Sequence, residues 1–415
     1  MNHVVVVGAS LAGTRACESL RNGAFSGEIT LVGAERHRPY DRPPLSKRLL
    51  RGDWEPERIQ LRSAEALTAL NLTLRLGVVA TALSVAHRTI TLDTPAVGGA
   101  VEHGAQEISF DGLIIATGAV PRQLPRQPKL VGLHLLRTID DSISLRNELR
   151  QGIRVVVIGA GFIGLEVAAT ARQRGCEVLV LEGLASPLLR VVGETIGLAI
   201  SRVHENHGVR IRCGVEVRRI IGSDSVSGVE LGDGTVVPAD VVVVGIGVDP
   251  ATEWLESSEL SLRNGVMCDA TLSVGVPGIY AAGDVARWPN ALYVDEEPTM
   301  RIEHWTNASE QGAHAAENLL ASWRGEIAEP YVSVPFFWSD QFEARVQFLG
   351  RATPEDEMKI VVGDEQSEKL VAFYYRNDRL RGVLGISMPK VVMSCRTLLA
   401  DRATLSDAVA MINSL

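Results

Sequence analysis

The sequence predicts an α/β protein made of two similar parallel-sheet units followed by a smaller α+β domain. Three observations carry that expectation. A strand–glycine–helix–strand–acid pattern opens the chain at His3. The same pattern opens again at Arg154. Beyond about residue 327 the character changes to short alternating strands that end in two helical stretches. Parallel strands need crossover connections, normally helices, and a sheet covered on both faces is written as continuous β-branched runs. These features predict two Rossmann-like dinucleotide-binding domains plus a C-terminal α+β domain. A length of 415 residues agrees with two to three domains.

The composition narrows the function classes. Lys and Arg number 41 against 50 Asp and Glu, a net charge of −9. That balance argues against nucleic-acid binding, which needs a basic face to displace counterions. Apolar residues make up 46% and charged residues 22%, so the chain can bury a large core and is not disordered in bulk. The charge-free run Val155–Leu165 has 11 residues, well short of the roughly 20 that cross a bilayer. Valines follow Met1-Asn2-His3 directly with no basic n-region, so no signal peptide is read and a cytoplasmic protein is expected. Cys17, Cys176, Cys213, Cys268 and Cys395 are far apart and form no Cys-x-x-Cys, so no metal ligand set is expected. Electron chemistry must then come from a bound cofactor.

The first unit begins with the strand Val4–Val7 and breaks at Gly8. The loop Gly8-Ala9-Ser10-Leu11-Ala12-Gly13 leads into a helix over Thr14–Arg21. Gly8 permits the tight turn and Gly13 lets helix and strand approach. Ser10 stands where the fingerprint has its middle glycine, so a pyrophosphate there must tolerate one small side chain. The next strand, Ile29–Val32, ends near Glu35, placed 22 residues after Gly13 to accept hydrogen bonds from a ribose.

The second unit follows 151 residues later. Arg154–Ile158 leads into Gly159-Ala160-Gly161-Phe162-Ile163-Gly164 with all three glycines present. A helix over Leu165–Arg174 and a strand over Glu177–Leu181 end at Glu182. The helix N-terminus, with free N–H groups and a favourable dipole, suits a pyrophosphate. A carboxylate at Glu182 favours a free 2′-hydroxyl and repels a 2′-phosphate, and Gly183–Pro187 supplies no Arg to clamp one. NADH is therefore preferred over NADPH at this site, with Arg190 as the nearest basic residue.

Two more segments extend the pattern. Leu113-Ile114-Ile115-Ala116-Thr117-Gly118 is a strand closing on small residues, and Gly278–Gly283 is a strand presenting Asp284. In this order the four segments resemble the two-dinucleotide flavoprotein reductases, in which the first unit holds FAD and the inserted second unit holds NAD(P)H. A closer similarity lies at Arg38-Pro39-Tyr40-Asp41-Arg42-Pro43-Pro44-Leu45-Ser46-Lys47, at Gly161–Glu166, Leu136–Thr138, Arg301–Glu303 and Phe337–Gln341. These segments resemble the oxygenase-coupled ferredoxin reductases. The disulfide-reductase relatives carry two cysteines on the helix after the first acid. Pro43, Pro44, Leu45 and Ser46 occupy that stretch here, so no thiol is offered to a substrate disulfide or peroxide.

The resemblance implies a site residue by residue. Gly8, Ser10, Ala12, Gly13, Glu35, Arg42, Lys47, Ala80, Ala116, Thr117, Gly118, Arg137, Gly283, Asp284 and Trp305 would hold FAD. NADH would meet Gly159, Gly161, Ile163, Gly164, Glu166, Glu182, Arg190 and Gly247. Lys47 and Glu166 resemble an ion pair beside the flavin and nicotinamide, where a cation would stabilise negative charge developing on the ring. Trp338 would sit near the flavin on a ferredoxin-facing surface. Lys47, Arg48, Arg51, Arg301, Arg345 and Lys390 are candidates for a basic patch toward an acidic partner.

The expected layout is a FAD domain from 1–118 and 247–326, an NADH domain from 119–246, and a C-terminal α+β interface domain from 327–415. In that last domain strands are expected over Val334–Trp338, Arg345–Leu349, Lys359–Val362 and Leu370–Tyr375, around a turn at Asn377-Asp378, with helices over Pro389–Ala400 and Thr404–Asn413. The resemblance implies hydride transfer from NADH to FAD, then single electrons to a transient [2Fe–2S] ferredoxin that feeds a haem monooxygenase or an aromatic-ring dioxygenase. A monomer or weak homodimer is expected. Three rivals share the flavin apparatus: a rubredoxin reductase, an NADH oxidase or diaphorase, and an NADH-responsive signalling flavoprotein of the apoptosis-inducing-factor type.

Overall fold

The β-branched run near the start forms the strand His3–Val7, which lies at the centre of a five-stranded parallel sheet. The computed structural model describes residues 1–93, 105–295 and 297–414. Its chain passes back and forth between two units. The first holds residues 1–41, 59–120 and 249–335, and the second holds 42–58, 121–248 and the chain from 336 onward.

In the first unit the strand order is Ile279–Ala281, Gly112–Ile115, His3–Val7, Glu28–Gly33, Thr73–Leu76, all parallel. Val5 pairs with Thr30 on one side and Leu113 on the other, so the inner strands have no solvent-facing side. Val4, Val5, Val6, Ile29, Leu31, Leu113, Ile114 and Ile115 are fully or almost fully buried. The helices Leu11–Asn22 and Trp305–Arg324 cover this sheet and approach each other closely, because a Cβ at Gly312 would lie 2.2 Å from the Ala12 carbonyl oxygen. A three-stranded antiparallel sheet, Val79–Ser84, Thr89–Asp93 and Gln106–Ser109, completes the unit.

The second unit repeats the plan. Arg210–Arg212, Glu177–Leu181, Arg154–Ile158, Val241–Val244 and Leu133–His134 form its parallel sheet. The helices Phe162–Gln173 and Leu189–Asn206 accompany it, the latter bent at Gly193. The helix Ile139–Glu148 starts with a capping box in which Thr138 and Asp141 satisfy each other's backbone N–H groups, worth about 1 kcal/mol. The C-terminal part is a five-stranded antiparallel sheet in the order Phe336–Gln341, Ala344–Gly350, Arg379–Ile386, Leu370–Arg376, Glu357–Val362. Its inward residues Val346, Phe348, Ala372 and Leu384 join one apolar cluster with Val155, Val157, Leu165 and Val167.

Several expectations shift in detail. Both fingerprint helices begin about three residues earlier than expected, at Leu11 and Phe162, because Ser10 and Gly161 are themselves the capping positions and the loop is the first helical turn. A fifth C-terminal strand, Arg379–Ile386, follows the Asn377-Asp378 turn, and both turn residues adopt positive φ. The expected helix Pro389–Ala400 divides into Pro389–Ser394 and Arg396–Ala400.

Segment 42–58, placed by the sequence reading inside the FAD domain, packs within the second unit. Its backbone carbonyls explain this: Leu45 accepts from Ser142 Oγ, Ser46 from Thr170 Oγ1 and Arg51 from Arg174 Nη1, each at 2.7 Å. Among the described residues no helix is long and apolar enough to cross a membrane.

Candidate functional site

Each parallel sheet ends in a glycine loop shaped by close backbone approach. Gly8 has φ +123° and donates its N–H to the Val32 carbonyl at 2.8 Å. A Cβ there would stand 2.0 Å from the Ala116 carbonyl oxygen, and one at Gly13 would stand 1.9 Å from the Gly8 oxygen. The second loop matches. Gly159 has φ +102°, and Cβ atoms at Gly159 and Gly164 would lie 2.4 Å from the Gly245 oxygen and 2.2 Å from the Gly159 oxygen. Gly161 differs from these four, since a Cβ on it would meet nothing within 4 Å. Side chains are thus excluded by packing at the outer glycines, while the middle position faces open space where a phosphate can approach the first-turn N–H groups.

The residues around the first loop suit FAD. Ser10 stands at the N-cap position of the helix and Ala12 is buried in its first turn. The Glu35 carboxylate accepts the Tyr40 hydroxyl. Ala80 lies on the strand Val79–Ser84 against the apolar cluster, and Ala116 is buried. Thr117 Oγ1 donates to the Ala251 carbonyl at 2.8 Å, and Gly118 follows it. Trp305 Nε1 donates to Asp41 Oδ1 at 2.7 Å. Gly283 donates its N–H to Gln311 Oε1 at 2.9 Å, just before Asp284. Gln311 is fully buried and, among the described residues, its Nε2 has no hydrogen-bond partner. An unpaired buried amide is costly, so this donor beside Gly283 is one that a polar ligand would satisfy.

Around the second loop, Glu182 accepts from the backbone N–H groups of Ala160 at 2.7 Å and Leu184 at 2.9 Å. Its carboxylate is thereby fixed at the loop, where a ribose would arrive. Ile163 is half exposed, Arg190 is exposed at the start of the helix Leu189–Asn206, and the Gly247 carbonyl accepts from Arg122 N at 2.9 Å.

The third feature is a buried ion pair in the second unit. Lys47 Nζ donates to Glu166 Oε2 at 2.7 Å, and the two side chains are 18% and 3% exposed. Ser46 Oγ donates to the same oxygen, while Ser339 Oγ donates to Oε1 at 2.6 Å. A buried carboxylate is tolerable only when such donors replace water. Arg42 lies in the same unit and donates to the Arg137 carbonyl. Trp338 is half buried, stacks on Phe336 and points to the opposite strand face from Ser339.

Of the basic candidates, Arg301 is no surface charge. Its side chain is 8% exposed, with Nη1 on the Asp284 carbonyl and Nη2 on Glu303. Arg51 and Arg345 are paired with Asp53 and Asp340, which holds both guanidinium groups above their ordinary pKa. All five cysteines are free, and burial pushes Cys17 and Cys268 up to about 12, far from a reactive thiolate.

The pattern of pyridine nucleotide-disulphide oxidoreductases matches residues 2–312, and a reductase C-terminal pattern matches 336–414. The chain belongs to the pyridine nucleotide-disulphide oxidoreductase family. FAD and NAD(H) are therefore its cofactors. Within the family it stands with the ferredoxin–NAD(+) reductases, as the sequence resemblance implied. It is 34% identical to the ferredoxin–NAD(+) reductase component of the p-cumate 2,3-dioxygenase system of Pseudomonas putida, over 98% of this chain and 95% of the relative. It is 36% identical to rhodocoxin reductase of Rhodococcus erythropolis, over 97% and 90%. The reductase in the covalent putidaredoxin reductase–putidaredoxin complex superposes with a TM-score of 0.89 at 32% identity, over 97% of this chain and 93% of that one.

Sequence reasoning singled out the glycines, both acids and the Lys47–Glu166 pair, and the structure places the glycines in the two close-packed loops and brings Lys47 onto Glu166. It did not single out Gln311 beside Gly283, or Ser46 and Ser339 as partners of Glu166. Ser46 and Ser339 lie within motifs that were quoted; Gln311 gave no signal.

Proposed function

We propose that this protein is an NADH-dependent ferredoxin reductase of an oxygenase system, passing electrons from NADH through FAD to a [2Fe–2S] ferredoxin of acidic surface. The observation that carries this reading is the segment Pro43–Lys47. Where a disulfide reductase would offer thiols, this chain has a serine and a lysine on a buried glutamate. Without a protein thiol in the path, electrons leave from the cofactor directly. Bound FAD supplies the conversion between the two-electron donor and a one-electron acceptor.

The chain's own residues supply position and charge. Helix Leu11–Asn22 and its loop present N–H groups to one pyrophosphate, and helix Phe162–Gln173 presents them to the other. Glu182, anchored on two backbone N–H groups, offers acceptors to a ribose diol and opposes a 2′-phosphate. Glu166 holds the Lys47 ammonium at a fixed place, so a positive charge is available where negative charge develops during transfer. Trp338, half exposed on the first C-terminal strand, fits an acceptor-facing position. Five unpaired cysteines fit a reducing compartment, the cytoplasm.

The test is stopped-flow absorbance at 450 nm with NADH, first alone and then with oxidised [2Fe–2S] ferredoxins. Fast bleaching by NADH, followed by recovery with one ferredoxin far faster than with oxygen, is the expected result. Recovery that no ferredoxin accelerates over oxygen would replace the reading with an oxidase or a signalling flavoprotein. Absence of bleaching would overturn the placing of NADH at the second loop.

A further inference from the structure

The Glu166 carboxylate is the end of a longer buried chain. Ser339 Oγ, which donates to Glu166 Oε1 at 2.6 Å, accepts from Gln341 Nε2 at 3.1 Å, and Gln341 Oε1 meets His204 Nε2 at 2.9 Å. Ser339, Gln341 and His204 are 0%, 1% and 0% exposed. Ser339 and Gln341 are two residues apart on the strand Phe336–Gln341 and so share a face. His204 comes from the last turn of the helix Leu189–Asn206 and stands edge-on to Phe342 at 5.2 Å.

The donors and acceptors in this chain can run in one direction only. A serine hydroxyl has one proton, and Ser339 gives it to a carboxylate that has none to return. Its remaining valence must accept, so Gln341 turns its NH2 toward Ser339 and its carbonyl toward His204. His204 must then carry its proton on Nε2, which leaves Nδ1 bare. Among the described residues that Nδ1 indeed has no partner. A neutral ring with a bare, desolvated nitrogen is also what burial enforces at this position. Every proton along the chain therefore points toward Glu166, and each bond polarises the next.

We infer that Ser339, Gln341 and His204 are positioning residues for the Lys47–Glu166 pair, fixing the carboxylate from the side opposite Lys47 so that the ammonium is held in one place. The inference rests on the reading that this pair serves hydride transfer from NADH. With Ser339 and Ser46 both in place, rotating the carboxylate would abandon a buried hydrogen bond at either oxygen. Without Ser339, Oε1 is buried and unpaired, and the carboxylate turns or shifts to recover a partner, taking Lys47 with it. A misplacement of about 1 Å can change a transfer rate by about 100-fold.

The experiment measures the limiting rate of NADH-driven bleaching at 450 nm, the NADH dissociation constant and the FAD midpoint potential in the holoenzyme. Ser339→Ala is expected to slow bleaching at least about tenfold with NADH affinity little changed, and to make the potential more negative; Ser339→Thr restores both. Gln341→Met gives a smaller loss of the same sign. Because Gln341 acts through Ser339, the double variant is no slower than Ser339→Ala alone.

Wild-type rate and potential in folded, FAD-loaded Ser339→Ala would overturn the inference. So would additive losses in the double variant. Should Ser339→Ala not fold, Gln341→Met decides alone: wild-type values would overturn the inference, and a slower rate with a more negative potential would support it. Glu166→Gln run in parallel separates the two levels. If it too bleaches at the wild-type rate, the reading of the pair fails; if only Ser339→Ala and Gln341→Met are silent, the pair stands and the positioning chain falls.

Discussion

Replacing His204 by Asn makes the energetics of the buried chain measurable through pH. Burial, opposed by the Gln341 hydrogen bond and helped by the nearby His207, lowers the folded-state pKa of His204 from 6.5 to about 4. The sign follows from proton binding. Above pH 6.5 both folded and unfolded His204 are neutral and the group contributes no pH dependence. Below 6.5 the unfolded chain takes up a proton that the folded protein refuses, so stability falls as the pH drops toward 4.

A displacement from 6.5 to about 4 corresponds to about 3 kcal/mol in full, of which about 2 kcal/mol is lost by pH 5. Other groups titrate in the same window, so the difference between wild type and His204→Asn isolates the histidine. Urea unfolding of the holoenzyme at fixed FAD, from pH 7 to pH 5, should show wild type losing about 2 kcal/mol more than the variant. Parallel curves for the two proteins would refute the argument, since His204 would then titrate alike in both states.

Four further outcomes follow from the geometry. Gly159→Ala, which forces a Cβ to within 2.4 Å of the Gly245 oxygen at φ +102°, should raise the NADH dissociation constant about tenfold or more while the protein stays yellow; Gly8→Ala should do the reverse, releasing FAD, as read from the ratio of absorbance at 450 and 280 nm. Glu182→Gln removes the charge and keeps an acceptor for only one of the Ala160 and Leu184 N–H groups, since its amide nitrogen cannot accept; with the repulsion of a 2′-phosphate gone, kcat/KM for NADPH relative to NADH should rise about tenfold. Thiol titration of the denatured protein should find five thiols both before and after reduction by NADH, because none of the five cysteines is paired.

Periodicity and spacing were enough, by themselves, to determine the two nucleotide-binding units. Val4–Val7 and Val155–Ile158 are written as buried parallel strands, and the glycines between strand and helix are demanded by local backbone approach that any chain of this pattern must make. The acids at Glu35 and Glu182 were legible for the same reason, since both sit at a fixed distance along the chain from their loops. Lys47 and Glu166 were legible only as members of recognised motifs.

Tertiary structure alone decided the rest. Segment 42–58 leaves the unit that precedes it because its carbonyl acceptors find Ser142, Thr170 and Arg174, residues far away in sequence. Arg301 turned out buried rather than presented to a partner, because the Asp284 carbonyl and Glu303 take its guanidinium inside. The chain from Glu166 to His204 unites a fingerprint helix, a C-terminal strand and the last turn of another helix. Hydrogen bonds between residues 137 to 173 positions apart leave no trace in local periodicity, since each partner's own neighbourhood specifies only its strand or helix and not what it will meet.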